Sequence, residues 1–125
     1  MKPTRIHYAR KRRELELTFI DGLSESLSAE FLRVHSPSAE VKGHGPGQET
    51  LQTGKAAVQV TAINPVGHYA IQLVFDDGHD SGLYGWDYLY RLCHDRDALW
   101  QNYLQQLDAA GVSRDPDIQV IQFTP

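Results

Sequence analysis

Between Tyr69 and Cys93 the spacing of apolar residues changes from two to about 3.6, and this change constrains the fold more than any other stretch. Ile71, Leu73 and Phe75 fall on one side of an alternating run, as in a strand with one buried face, because successive strand side chains point to opposite sides. Asp77-Gly78 then suits a two-residue hairpin turn, whose two central residues need positive φ, and His79 to Leu83 is the expected return strand. From Gly85 onward Trp86, Leu89, Tyr90 and Cys93 stand at i, i+3, i+4 and i+7, one face of a helix. A chain with this stretch has to join an antiparallel pair directly to a helix.

The flanking sequence extends both patterns. Thr4 to Tyr8 and Glu14 to Phe19 read as a hairpin across the basic turn Arg10-Lys11-Arg12-Arg13, with Leu15, Leu17 and Phe19 on its inner face. Ser24 to Leu27 reads as a short edge strand, and Ser28 as the cap of a brief helix from Ala29 to Val34. Ser36 to Lys55 is irregular, since its prolines and glycines interrupt both helix and strand. Ala57 to Ile63 alternates again, and Asn64-Pro65-Val66-Gly67 reads as its connection. Asp95 or Asp97 can cap a second helix carrying Leu99, Trp100, Tyr103, Leu104 and Leu107, with Gly111 as its stop. The tail from Val112 to Pro125 carries an alternating Ile118 and Val120 that can add an edge strand. Strands first and helices last give an α+β class: a mostly antiparallel sheet, a short helix after the first strands, and two C-terminal helices on one face. At 125 residues the chain is expected to form one domain, with its core at about residues 5–110 and a tail at 112–125.

Composition narrows the function classes. A formal net charge of −4 argues against nucleic acid, and Arg10 to Arg13 is read as a solvated turn. No apolar run approaches a membrane span. The single Cys93 excludes an internal disulfide framework and fits a reducing cytoplasm.

Known catalytic patterns fail one after another. None of the six histidines has Asp or Glu two residues on, and H-E-x-x-H is absent. Gly54-Lys55 is followed by Ala56 and lacks the preceding glycine of a phosphate loop. Ser81 is not in G-x-S-x-G, and Cys93 lies on an apolar helical face as a packed side chain. What remains is a metal reading, with His79 as one ligand and His35, His44 or Asp77 as others. Two further candidates are an aromatic interaction patch at Tyr84, Trp86, Asp87 and Tyr88, and a pocket under the loop of Gly43, His44, Gly45, Gly47 and Gln48.

Phe31-Leu32-Arg33-Val34-His35-Ser36-Pro37-Ser38-Ala39-Glu40-Val41, the Gly43 to Gln48 loop, and Phe75 to Leu89 together resemble a small bacterial family, the gamma-butyrobetaine-hydroxylase-like N-terminal domain. In the carnitine-pathway hydroxylases, the similar domain precedes a 2-oxoglutarate/iron oxygenase domain and binds a structural zinc through three cysteines and a histidine. The resemblance places those four ligands at Ser36, Ser38, Val41 and His79, so two hydroxyls and an isopropyl group replace three thiolates. Neither hydroxylation nor the zinc site is therefore expected here. Related domains also accompany ATPase scaffold proteins of iron–sulfur assembly. The resemblance implies a stand-alone, non-catalytic accessory module that binds a protein partner, in iron–sulfur or oxygenase-related pathways. The alternatives are a Zn or Fe domain using His79 and a small-molecule domain at the Gly43 to Gln48 loop. No resident cofactor is expected in the leading reading.

Overall fold

The computed structural model describes residues 1–118. Three strands, β1 (Pro3–Ala9), β2 (Glu14–Phe19) and β3 (Ser24–Ser28), precede the short helices α1 (Ala29–Val34) and α2 (Ala39–Lys42). Strands β4 (Val60–Val66), β5 (Ala70–Phe75) and β6 (Leu83–Gly85) follow, then α3 (Trp86–His94) and α4 (Arg96–Ala110). The class is α+β, with two three-stranded antiparallel sheets, β1-β2-β3 and β4-β5-β6, where the sequence predicts one.

One core takes side chains from both sheets. Leu15, Leu17, Phe19 and Leu27 come from the first, Val60, Ile71, Leu73, Phe75 and Tyr84 from the second, and Phe31, Leu32, Leu89, Leu92 and Cys93 from α1 and α3. Helix α3 contacts β3 and β6, one strand of each sheet, rather than covering a single sheet face. Helix α4 packs Tyr103 and Leu107 on Val34 at the end of α1. Burial pushes the Cys93 thiol up to about 12, as expected of a packed side chain rather than a nucleophile.

Turn chemistry differs from the expected two-residue hairpin. At Asp76-Asp77-Gly78 the Gly78 amide donates to Phe75 O and the Phe75 amide to His79 O, and only Gly78 has positive φ. Ile20-Asp21-Gly22 repeats this arrangement between β2 and β3. Both are three-residue connections whose last residue alone is left-handed, which glycine adopts without Cβ strain.

Three element boundaries move for identifiable reasons. Strand β4 begins and ends three residues later than the alternation predicts, because a bulge between Val60 and Ala62 resets its phase. Val60 and Ile63 then both pair with inward positions of β5, Phe75 and Leu73, and Pro65 is accommodated on an edge strand. Residues 79–82 leave the ladder, so β6 is only Leu83–Gly85. Helix α2 goes unpredicted because it is four residues long; Ser38 caps it, accepting from the Glu40 amide. Ser28 caps α1 as predicted, and Gly111 ends α4 in the left-handed conformation. Asp95 stands at the start of α4 but makes no cap bond, its carboxylate being engaged by His94 Nδ1. Ser113 and Arg114 accept from the Gly54 and Ala56 amides, and Ile118 is exposed and outside any strand. The remainder of the predicted tail strand lies outside the described residues.

Candidate functional site

The residues that leave the β5–β6 ladder do so to meet the corner between α1 and α2. His79 Nε2 lies 2.8 Å from Ser36 Oγ, and His79 Nδ1 lies 3.0 Å from Glu40 Oε2. An ionised carboxylate only accepts, so Nδ1–H donates to Glu40. In the neutral ring Nε2 then accepts from the Ser36 hydroxyl, while Ser36 Oγ accepts from the Ser38 amide at 3.3 Å. Ser38 and Ser81 hydroxyls join at 2.7 Å. Five polar side chains, Ser36, Ser38, Glu40, His79 and Ser81, thus tie residues 36–40 to residues 79–81, 39 to 43 positions away in sequence.

The bonding order hydroxyl, imidazole, carboxylate is that of a serine hydrolase triad, but the exposures are reversed. Ser36 is wholly buried, whereas the Glu40 side chain is 69% exposed. Gly82 closes the remaining approach, since a Cβ there would stand 2.5 Å from Ser36 Oγ. The hydroxyl is closed to solvent, and the arrangement cross-links the fold.

A zinc ion does not fit these donors. Ser36 and Ser38 offer neutral hydroxyls already spent on His79 and Ser81, and Val41 is a buried isopropyl group. His35 is placed elsewhere: its Nδ1 donates to Phe31 O at 2.8 Å and its ring packs between Phe31 and Tyr103. Burial is the main influence lowering its pKa; the Phe31 carbonyl opposes the shift and nearby Lys42 adds to it. His44 is exposed on its loop, and among the described residues no group of three His, Cys, Asp or Glu side chains is placed to hold a metal.

Asp77 is committed elsewhere. Its Oδ2 accepts from Arg33 Nε at 2.8 Å and from Lys55 Nζ at 2.7 Å, and its Oδ1 accepts from the His79 amide at 3.1 Å. Partial burial opposes ionisation, but the Lys55, His79 and Arg33 hydrogen bonds outweigh it and hold the carboxyl down at about 2. Arg33 also donates to Gln52 Oε1 at 3.0 Å.

The predicted aromatic patch divides. Tyr84 is fully buried, its hydroxyl donating to Leu32 O at 2.5 Å, and it contributes nothing to the surface. Alternation decides this: Leu83 and Tyr84 occupy opposite faces of β6, and Leu83 is the exposed one. Burial pushes the Tyr84 phenol well above its ordinary value. Tyr84→Phe is expected to lose about 1–2 kcal/mol by leaving the Leu32 carbonyl without its donor, measurable as a lower urea midpoint at unchanged m. Trp86 is half-buried, its indole N–H donating to His68 O at 2.7 Å, and exposed Asp87 pairs with the N-terminal ammonium at 2.9 Å. Tyr88 is half-buried with its hydroxyl fixed on His35 O at 2.6 Å.

A cleft of about 520 Å³ opens beside the polar corner. Val34, His35 and Val41 line it together with Lys42, residues 49–52, and the α4 face Leu99, Asn102, Tyr103 and Gln106. These four helix residues recur at i, i+3, i+4 and i+7. The walls are braced: Tyr103 Oη donates to Gln52 O at 2.8 Å, and the Thr50 amide to Val41 O at 2.8 Å. The predicted loop pocket is thus displaced. Lys42 and Glu49 flank the loop and line the cleft, whereas Gly43, His44, Gly45, Gly47 and Gln48 do not. Gly43 has a backbone reason for its identity, since at φ 72° a Cβ would stand 2.2 Å from Gln48 O. Sequence reasoning missed Glu40, Asn102 and Gln106. The helical period of α4 placed the two amides beside Leu99 and Tyr103, but nothing local linked Glu40 to His79.

Fold and site together define a small α+β domain whose polar corner is internally hydrogen-bonded, with a cleft next to it. Residues 6–90 match the family described as gamma-butyrobetaine hydroxylase-like, N-terminal, and the chain belongs to that family. Two NMR solution structures are similar to it at 49% and 50% identity, each covering 99% of this chain and 98% and 93% of theirs, with TM-scores of 0.82 and 0.78. A crystal structure of a DUF971-family protein of unknown function from Acidithiobacillus ferrooxidans ATCC 23270 is 39% identical over 74% of this chain and 92% of that one, with a TM-score of 0.62. No curated protein matches the chain.

Proposed function

We propose that this protein is a non-catalytic accessory module that binds a protein partner through the cleft between Lys42, residues 49–52 and α4. The cleft carries the reading. It has braced walls, an apolar floor at Val34 and Val41, and side-chain amides at Asn102 and Gln106 that carry no hydrogen bond among the described residues. Unspent donors and acceptors beside apolar surface are what a specific interface needs. The enclosed Ser36 hydroxyl supports the non-catalytic half of the proposal. The family resemblance directs the search for the partner to iron–sulfur assembly and oxygenase pathways in the cytoplasm. Among the described residues no helix is long and apolar enough to cross a membrane.

A photo-crosslinking amino acid at Gln106 is expected to yield one discrete adduct in cells, which Leu51→Asp reduces about tenfold by placing a charge in the apolar wall. The same amino acid at exposed Ile20, on the β2–β3 turn, is expected to yield none. An adduct unaffected by Leu51→Asp, or formed equally from position 20, would overturn the cleft as the binding site. The volume also lies within the range of small-molecule sites, which is the second reading. A thermal-shift screen in which a metabolite stabilises the protein and Leu51→Asp abolishes the shift would favour it.

A further inference from the structure

Two cations converge on one ring beside the cleft. Lys42 Nζ and Arg91 Cζ each stand 5.3 Å from the centre of the Tyr88 ring. Neither pairs with a carboxylate among the described residues. The position of the ring is fixed, because its hydroxyl is held by His35 O. An aromatic face attracts a cation, but the chain's excess of acidic residues supplies neither of these two with a carboxylate. An anion arriving beside Tyr88 would meet cations that have no carboxylate of their own.

The rest of the cleft says what should carry the anion. Val34, Val41, Leu51 and Leu99 offer room for an aliphatic side chain next to Lys42. Asn102 and Gln106, one turn apart on α4, each present a donor and an acceptor, the pair that an extended main chain requires. Glu49 lies on the lining without a partner among the described residues and would repel a carboxylate placed beside it. Acidic residues are therefore directed to the Lys42–Arg91 side.

We infer that the cleft takes an extended acidic segment of a protein partner, with its carboxylates on the cations gathered at Tyr88, an aliphatic side chain in the hollow, and its backbone on Asn102 and Gln106. The inference rests on the reading of the cleft as the partner-binding site.

Three end-blocked peptides test it by NMR titration of the full chain: Asp-Asp-Leu-Val-Gly-Ser and its counterparts beginning Asn-Asn and Lys-Lys. The acidic peptide is expected to bind about tenfold more tightly than the lysine peptide at low salt, and to weaken several-fold on raising salt toward about 0.5 M, as partly exposed charges are screened. The side-chain amide signals of Asn102 and Gln106 are expected to shift, and Lys42→Glu with Arg91→Glu to reverse the preference. Equal binding of the acidic and asparagine peptides, or shifts that avoid α4, would overturn the inference. If the Gln106 adduct remains sensitive to Leu51→Asp while the acidic peptide does not bind, the acidic segment is wrong and the binding cleft stands. An adduct insensitive to Leu51→Asp removes both.

Discussion

His79→Ala is expected to lower folding stability by about 3–4 kcal/mol, roughly 10 °C or more in Tm for a domain of this size. The imidazole fills a buried position and makes two hydrogen bonds, so its loss leaves a void and strips Ser36 Oγ of its acceptor. The second half of the test is metal independence. EDTA is expected to leave the Tm of the unmutated protein unchanged, because the donors present do not fit a zinc ion. A drop in Tm on chelation would refute that account of the corner. Ser36→Ala combined with His79→Ala supplies the control: side chains joined by a hydrogen bond should couple by about 0.5–3 kcal/mol. Strict additivity would show that the bond contributes nothing.

Removing the Asp77 carboxylate is the second large effect. Asp77→Ala is expected to destabilise by about 3 kcal/mol near neutral pH, chiefly by leaving the Arg33 guanidinium buried without its anion. Arg33 is 9% and the Asp77 side chain 22% exposed, so the pair sits nearer a buried than a surface salt bridge. The backbone of Asp77 lies on an exposed turn, and solvent reaches one side of the carboxylate. Its folded pKa, about 2, is below the ordinary 3.8, so the extra stability is fully present above about pH 4 and is lost as pH falls toward 2. After allowance for screening, that pH-dependent share is on the order of 1–2 kcal/mol. Urea melts across this window should show a steeper loss for the unmutated protein than for the variant. Parallel curves would mean that Asp77 carries no linked proton.

Both effects concern residues the sequence singled out for other reasons. His79 and Asp77 were candidate metal ligands, two residues apart at one turn. The structure gives each a partner from the α1–α2 region: Glu40 and Ser36 for His79, Arg33 for Asp77. Those partners lie 39 to 44 residues away, with no periodic pattern connecting them. Tyr88 was legible as an aromatic leaving the core face of α3, but its two cations were not, since Lys42 comes from a helix too short to announce itself. Tyr84 was misplaced for the opposite reason. The return strand, expected at His79 to Leu83, lies at Leu83–Gly85 instead, and alternation with Leu83 turns Tyr84 inward.

The sequence by itself determined the α+β class, the inward faces of β2 and β5, the caps at Ser28 and Gly111, and the helical stripes of α3 and α4. These follow from side-chain period and backbone preference, which act between residues a few positions apart. Only the tertiary structure decided the division into two sheets, the phase of β4 after its bulge, and the closure of Ser36, His79 and Glu40 into one network. It also decided where the cleft opens. Each of those depends on surfaces brought together from distant parts of the chain, where the need to satisfy buried polar groups, rather than local spacing, selects the partner.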